Sequence, residues 1–324
     1  MKRIVMALVL LIAPAVLAAC GGGNTGGGGT SNGPSAGCPS PSGSSGSGHL
    51  SIGSKSDVPE DQLVAEMTKL VLEKHGFTVD NTFMATDKNV GNALTGGTID
   101  MLWQYTGTEL GLYLSLTGFP TDLHQAFEFV KQKDEARSLC WVDETTLNDT
   151  NGLAIKQTDT GTYGTTLSAL GTYLQAHPGT TICVLSAFLT RPDGVPGLVN
   201  TYGQSFAASN VNYITSMGTA EKSIANGQCP IGEVFTTDSA IATNNLVSFM
   251  DDKKLFPPDN LGLMVRQSVL QAHPEIAALM QPVASLLTTS TMLTLNAQID
   301  SAGDSPQAIQ TAAMNFLQQN GLLG

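Results

Sequence analysis

The sequence contains little charge, and most of what it has is acidic. Only 13% of its 324 residues are charged, with 15 basic side chains against 27 acidic ones, so the net charge is −12. No run of basic residues follows the first three positions, which excludes a surface that tracks nucleic-acid phosphates. With 41% hydrophobic residues the chain can still bury a core. Its polar residues are mostly Thr, Ser, Asn and Gln, a composition that favours an exported protein.

The sequence also lacks the motifs of the common enzyme classes. It has no HExxH, no CxxC and no phosphate-binding loop, and its five histidines are scattered. A GxSxG match at 33–37 lies in a Gly/Ser-rich segment rather than between a strand and a helix, so it is not a nucleophile elbow. The adjacent acids Asp251–Asp252 and Asp143–Glu144 are typical of a solvated face rather than of acid–base catalysis. We therefore expect no catalytic residue, no metal and no cofactor. This pattern favours a binding protein over an enzyme.

A short apolar run at the N-terminus indicates export. Lys2 and Arg3 precede the apolar segment 4–12, and Leu17-Ala18-Ala19-Cys20 follows it. The last four residues resemble a bacterial lipobox, in which the cysteine is acylated and becomes the mature N-terminus; an ordinary signal peptide is the alternative. We interpret 1–19 as a lipoprotein signal peptide and expect a lipid-anchored protein on the extracytoplasmic face of the cell membrane. No later apolar run is long enough to span a bilayer.

The segment 20–48 is predicted to be a flexible tether. It consists mainly of Gly, Ser, Pro, Asn and Thr, without an aromatic residue, so it cannot bury enough surface to fold. Cys38 lies within it, and we expect its thiol to be unpaired with the folded body. Export permits one disulfide among Cys140, Cys183 and Cys229, although three buried thiols are an alternative.

Two later stretches share an alternation of strands and helices. The first predicts strands at 50–53, 77–83 and 99–103, with one helix that starts at an Asp57–Glu60 capping box and another over 89–94. The second predicts strands at 182–186, 211–215 and 231–235, with helices from 194 and over 220–225. Two α/β lobes with parallel sheets would then face each other across a cleft. The carboxyl ends of their strands should line it, namely Ser54–Lys55, Trp103–Thr108, Ser186–Arg191 and Phe235–Asp238.

The cleft segments carry a resemblance to a known family. In order and spacing, nearly all of residues 50–324 resemble the osmoprotectant (glycine betaine, choline, carnitine) substrate-binding proteins of ABC transporters. The groups that carry it are Gly53-Ser54-Lys55, Tyr105-Thr106-Gly107-Thr108, Arg191-Pro192-Asp193-Gly194, Gly197-Leu198, Tyr202-Gly203, Thr236-Thr237-Asp238, Asp251-Asp252-Lys253, Phe256-Pro257-Pro258 and Leu295-Asn296.

The resemblance implies a type II periplasmic-binding-protein fold with a hinge and a central ligand cleft. It implies lobe I over 49–149 plus 254–324 and lobe II over 150–253. Closure of the lobes would deliver the ligand to an ABC permease and its ATPase. In the expected strand order the strands that start near Cys183 and Cys229 are neighbours, so we expect these two to form the disulfide.

The resemblance also implies how such a ligand is held. A quaternary ammonium cannot donate a hydrogen bond, so aromatic faces recognise it, whereas a zwitterion's carboxylate needs cationic donors. The carboxylate clamp maps to Lys55, Thr108 and Arg191. The alternatives are a salt bridge from Arg191 that orients the Pro-Asp-Gly turn and a Lys55 that is simply solvated. Two of the aromatic positions map to Tyr105 and Phe235.

This chain departs from the family pattern at two aromatic positions. Asn151 and Asp259 stand where the family usually has rings. Trp103 could replace one ring, because it shares a strand face with Tyr105, although such a tryptophan more often packs in a core. The loss of two rings suggests a more polar or larger ligand than glycine betaine, and Asp259 could instead pair with a cation.

We therefore predict a monomeric, lipid-anchored solute-binding protein of an ABC importer that takes a quaternary-ammonium osmoprotectant. A diverged member that binds another polar or aromatic small molecule is one alternative. A surface enzyme or a sensor on the same fold is another.

The lipobox interpretation predicts that Cys20 carries the membrane anchor. Intact-mass analysis of the membrane fraction should find it acylated, and Cys20→Ala should leave the protein unprocessed or released, because no thiol remains to be lipidated. An unmodified N-terminus on wild-type protein in the medium would contradict the interpretation.

Overall fold

A computed structural model describes residues 37–323 except 57, 117, 119, 205–209 and 215–216. From residue 37 onward the chain forms one compact unit that contains two five-stranded sheets. The predicted signal peptide, its lipobox and the tether up to residue 36 lie outside the described residues. In the described part no helix is both long and apolar enough to cross a membrane.

The first sheet, with its helices called lobe I here, has the strand order β2-β1-β3-β10-β4. Strand β1 pairs in parallel with β2 and β3, whereas β10 runs antiparallel to both β3 and β4. The strands are β1 (Gly48–Lys55), β2 (Phe77–Met84), β3 (Met101–Tyr105), β4 (Leu139–Asn148) and β10 (Asn260–Arg266).

The second sheet, with its helices called lobe II, has the order β7-β6-β8-β5-β9. It repeats the pattern of lobe I, with a parallel β7-β6-β8 core and antiparallel strands on one side. The strands are β5 (Asn151–Lys156), β6 (Ile182–Leu185), β7 (Val211–Ile214), β8 (Ile231–Phe235) and β9 (Leu246–Ser248). The predicted parallel strands of both lobes are therefore confirmed, and the antiparallel strands were not predicted.

Helices cover both sheets. Those of lobe I are α1 (Pro59–Lys74), α2 (Asp87–Thr95), α3 (Thr106–Thr108), α4 (Leu123–Glu135), α10 (Gln267–Ala272), α11 (Glu275–Leu286), α12 (Thr289–Ser301) and α13 (Pro306–Gln319). Those of lobe II are α5 (Thr160–Tyr163), α6 (Leu167–Ala176), α7 (Val195–Tyr202), α8 (Met217–Ala225) and α9 (Ser239–Thr243). A π-helix (Glu109–Tyr113) continues α3.

The start of α1 differs from the predicted capping box. Val58 is the N-cap residue, without a side-chain cap bond, and Pro59 occupies the first turn. Asp57 lies outside the described residues. Glu60 is buried and bonds to other groups described below, so it does not serve as a capping acid. The local sequence satisfies the capping pattern, but a tertiary contact takes this carboxylate.

The chain crosses between the lobes twice, between β4 and β5 and between β9 and β10. The two crossings bond to each other, since Asp149 N donates to Asp259 O at 3.0 Å and Asp259 N donates to Asn148 Oδ1 at 2.8 Å. Away from the crossings, Leu293 of α12 packs against a buried apolar cluster of lobe II, which consists of Ala154, Ile224, Val234, Ile241 and Leu246. The pair of bonded crossings forms the hinge region of the molecule.

Two disulfide bonds lie within the described residues, and each joins two segments that are far apart in the sequence. Cys183 and Cys229 are bonded, with Cα atoms 6.0 Å apart, which is the pairing that the strand order favours. Cys38 is bonded to Cys140 of β4, with Cα atoms 5.7 Å apart. The expectation of an unpaired Cys38 is therefore wrong.

The segment 37–47 follows the body rather than leaving it. Cys38 N donates to Glu135 Oε1, Ser42 N to Pro274 O and Gly46 N to His75 O, at 3.1 to 3.2 Å. Composition could not reveal this because the disulfide and backbone donors attach the segment without an apolar face. The chain is thus already fastened to lobe I before β1 begins.

The Cys38–Cys140 bond should contribute strongly to stability because it closes a loop of 102 residues. Cys38→Ser should lower the free energy of unfolding by about 2 to 4 kcal/mol, measured by chemical denaturation without reductant. Ser40→Ala, at an exposed position two residues away, is the control. Peptide mapping under non-reducing conditions that links Cys140 to a cysteine other than Cys38 would contradict the assignment.

Candidate functional site

A cleft lies between the lobes and contains two adjoining cavities. The larger, of about 480 Å³, is within the size range of small-molecule sites. The smaller has about 240 Å³ and shares Thr108, Asp149, Phe235 and Asp259 with it. Among the described residues, six carboxylates and a single lysine line the larger cavity: Glu60, Asp149, Asp238, Asp259, Asp300, Asp304 and Lys55.

Asp149 and Asp259 come from the hinge itself, one from each crossing. Asp259 Oδ1 accepts hydrogen bonds from the backbone N–H groups of Gly107, at 2.7 Å, and Thr108, at 3.3 Å. A Cβ at Gly107 would stand only 2.9 Å from this carboxylate oxygen, so the approach requires glycine. These N–H groups lie just past the carboxyl end of β3, where an open α/β sheet binds its ligand.

A chain of polar contacts runs from α1 across the cleft. The Tyr105 hydroxyl donates to Glu60 Oε1, and Asn296 Nδ2 donates to Glu60 Oε2 at 2.6 Å. Asn296 Nδ2 also donates to Thr237 O of lobe II at 3.0 Å. Ser239 Oγ, also in lobe II, donates to Asp300 Oδ2 at 3.2 Å. These bonds connect α12 of lobe I to the end of β8 and the start of α9.

Burial makes the carboxyl groups of the cleft hard to ionise. Burial, together with the neighbouring Asp149, raises the pKa of Asp259 to about 7, although hydrogen bonds from the Gly107 and Thr108 N–H groups lower it. The pKa of Glu60 is raised by burial and by Asp149, and that of Asp149 by burial and by Asp238, despite a hydrogen bond from Thr237 that lowers it. These carboxyl groups therefore keep their protons to a higher pH than exposed carboxyl groups do, and a cation bound beside them would favour their ionised forms.

The three residues predicted as a carboxylate clamp lie at the cleft, but all are engaged. Lys55 Nζ is 3.2 Å from Asp61 Oδ2. Arg191 holds Asp193 with two bonds, from Nε at 2.9 Å and from Nη2 at 2.5 Å. The backbone N–H of Thr108 donates to Asp259 Oδ1, as described above. Contact of these residues with a ligand carboxylate stays a prediction.

The predicted aromatic positions are only partly brought together. Tyr105 and Phe235 line the larger cavity from opposite lobes. Trp103 lines neither cavity, since it is only 5% exposed and its Nε1 donates to Thr68 Oγ1 at 2.8 Å. It shares a strand face with Tyr105, as predicted, but lies two residues deeper and packs in the core of lobe I.

Asn151 lies in the smaller cavity, between two charged side chains. With its amide oriented to satisfy both, its nitrogen donates to Glu233 Oε1 and its oxygen accepts from Arg191 Nη1, each at 3.2 Å. It therefore continues the polar network around Arg191 rather than replacing a ring.

Sequence reasoning missed Glu60, Asp149 and Asn296 as residues of the site. Glu60 falls in the first turn of the helix after β1, so the strand-end rule that selected Lys55 would also have reached it. Asp149 lies directly before the predicted boundary between the lobes, where a crossing must pass the cleft. Asn296 stands in a matched group, but nothing in its spacing indicates a bond to the opposite lobe.

Comparison with known proteins agrees with this arrangement. Residues 48–319 match the family described as the substrate-binding domain of ABC-type glycine betaine transport systems, and the chain belongs to that family. It is 31% identical over 281 residues to a glycine-betaine-binding protein of Pseudomonas aeruginosa, covering 85% of this chain and 88% of that one.

Solved structures give the same fold. Apo YehZ from Escherichia coli superposes with a TM-score of 0.76 at 26% identity, covering 84% of this chain and 99% of YehZ. The crystal structure of a glycine betaine/carnitine/choline ABC transporter component gives 0.75 at 22% identity, covering 85% and 100%. The predicted type II periplasmic-binding-protein fold is confirmed.

The buried carboxyl of Asp259 predicts that stability of the unliganded protein falls as the pH rises. Between about pH 4 and pH 7 the native state keeps a proton that the unfolded chain has released, so the free energy of unfolding decreases across that window. Asp259→Asn keeps the oxygen acceptor and should flatten the decrease by up to about 4 kcal/mol in denaturation at pH 4.5 and 8.

The control for this measurement is Asp80→Asn, at a carboxylate that is 64% exposed on β2. It removes the same charge from a solvated position and should leave the pH dependence close to that of the wild type. An Asp259→Asn protein whose stability varies with pH as the wild type does would contradict the prediction.

Proposed function

We propose that this protein captures a quaternary-ammonium osmoprotectant in the cleft between its lobes and delivers it to an ABC permease. The observation that carries this proposal is the pair of rings, Tyr105 and Phe235, that line one acidic cavity from opposite lobes. An aromatic face attracts a cation that cannot donate hydrogen bonds, and carboxylates nearby add to the attraction. Family membership supports the same class of ligand.

Capture requires the two lobes to move relative to each other around the hinge. A ligand that touches Tyr105 of lobe I and Phe235 of lobe II makes more contacts when the lobes are together, so it favours the closed state. The contacts of Asn296 with Thr237 and of Asp300 with Ser239 run across the same cleft and would accompany closure. The permease would then distinguish the loaded protein by its closed shape.

We further propose that the mature protein is a monomer held on the extracytoplasmic face of the cell membrane by an acylated Cys20. The lipobox and the Gly/Ser-rich segment after it support this arrangement. The disulfide of Cys38 attaches the chain to lobe I before the predicted tether ends at residue 48.

Titration calorimetry with choline, glycine betaine and carnitine tests the ligand class. Phe235→Leu keeps an apolar side chain but removes the ring, so it should weaken binding of the preferred ligand by about 0.5 to 2 kcal/mol. Phe83→Leu makes the same change at a ring that is 54% exposed on β2 and should bind as the wild type does.

Three results bear directly on this proposal. Binding of at least one trimethylammonium compound, weakened by Phe235→Leu alone, supports it. Binding of none of them, or equal weakening by both variants, would overturn the assignment of a quaternary ammonium to this cleft.

A further inference from the structure

We propose that the cleft selects a carboxylate-free organic cation, of which choline is the simplest probe, over a zwitterion such as glycine betaine. This inference rests on the proposed function and specifies its ligand. A ligand carboxylate would need donor groups in the cleft, and the protein already uses several of these donors itself.

Both cations of the predicted clamp face a carboxylate of the protein itself. Lys55 pairs with Asp61, whose side chain is only 9% exposed, and Arg191 grips Asp193 with two parallel bonds. A bidentate arginine–carboxylate pair is among the strongest polar contacts in proteins. A ligand carboxylate would have to share these two cations with Asp61 and Asp193, which weakens the attraction that each cation can offer it.

The backbone donors at the end of β3 are also taken. Asp259 extends from the hinge and places Oδ1 on the N–H groups of Gly107 and Thr108. The carboxylate of Asp259 thus sits where the strand end would otherwise offer donors to a ligand anion. Above its pKa of about 7, Asp259 supplies at this position the negative group that a zwitterion would bring.

The other carboxyl groups of the larger cavity also favour a cation over a zwitterion. Asp149 and Glu60 line the same cavity as Asp259, and burial together with Asp149 raises the pKa of both Glu60 and Asp259. A bound cation relieves this crowding of carboxylates, whereas a zwitterion relieves it and then adds another anion. Two ligands with the same trimethylammonium group should therefore differ in affinity.

The test is calorimetric titration of the wild-type protein with three compounds that share one shape at the head group. They are choline, glycine betaine and 3,3-dimethylbutan-1-ol, in which a carbon atom replaces the charged nitrogen of choline. We expect choline to bind at least about tenfold more tightly than either of the others, because only choline is a cation without a carboxylate. Equal or tighter binding of glycine betaine would overturn the inference and leave the proposed function standing.

Two variants test whether Asp259 causes the preference for choline over glycine betaine. Asp259→Asn keeps an oxygen for the Gly107 N–H and removes the charge, so it should lower the preference for choline over glycine betaine by about tenfold. Asp80→Asn, on the exposed face of β2, should keep the wild-type preference. An unchanged preference in folded Asp259→Asn protein would overturn the role of Asp259, and binding of no compound by the wild type would overturn the proposed function as well.

Discussion

The structure depends on one interaction at the hinge, in which a carboxylate from one interlobe crossing is held by backbone donors of lobe I. Asp259 reaches the N–H groups of Gly107 and Thr108, and its own backbone bonds to Asn148 and Asp149 of the other crossing. The two crossings and the end of β3 are thereby joined at one point. This point is also the floor of the cleft, so hinge and binding surface are made from the same residues.

The same interaction explains why the cleft is strongly acidic. The carboxyl group that joins the hinge also lines the cavity, and Asp149 and Glu60 line the same cavity. The cations at the cleft, Lys55 and Arg191, are paired with Asp61 and Asp193, and the charge of Lys55 lowers the pKa of Asp149 and Asp259 without offsetting the effect of burial. A cationic ligand would supply the missing charge, and it would do so between two rings that belong to different lobes.

Much of the fold could be predicted from sequence because its parallel strands alternate with helices. β1, β2 and β3, and likewise β6, β7 and β8, follow that rhythm and were found within a few residues of their observed ends. β4, β5, β9 and β10 were missed because they pair across long sequence separations. The rule that ligands lie at carboxyl strand ends located Tyr105, Arg191 and Phe235. It could not show that Trp103 is covered by α1 or that Cys38 reaches Cys140, since each depends on a tertiary contact. The bond from Arg191 to Asp193 is local, and the sequence offered it as the alternative role of Arg191.

The most direct test of this account is a crystal structure of the protein with choline bound. The account predicts that the ammonium lies within about 6 Å of the ring centres of Tyr105 and Phe235 and faces the Asp259 carboxylate. It also predicts that Lys55 stays paired with Asp61 and Arg191 with Asp193. A cation bound away from both rings, or an Asp259 carboxylate released from Gly107 in the complex, would contradict it.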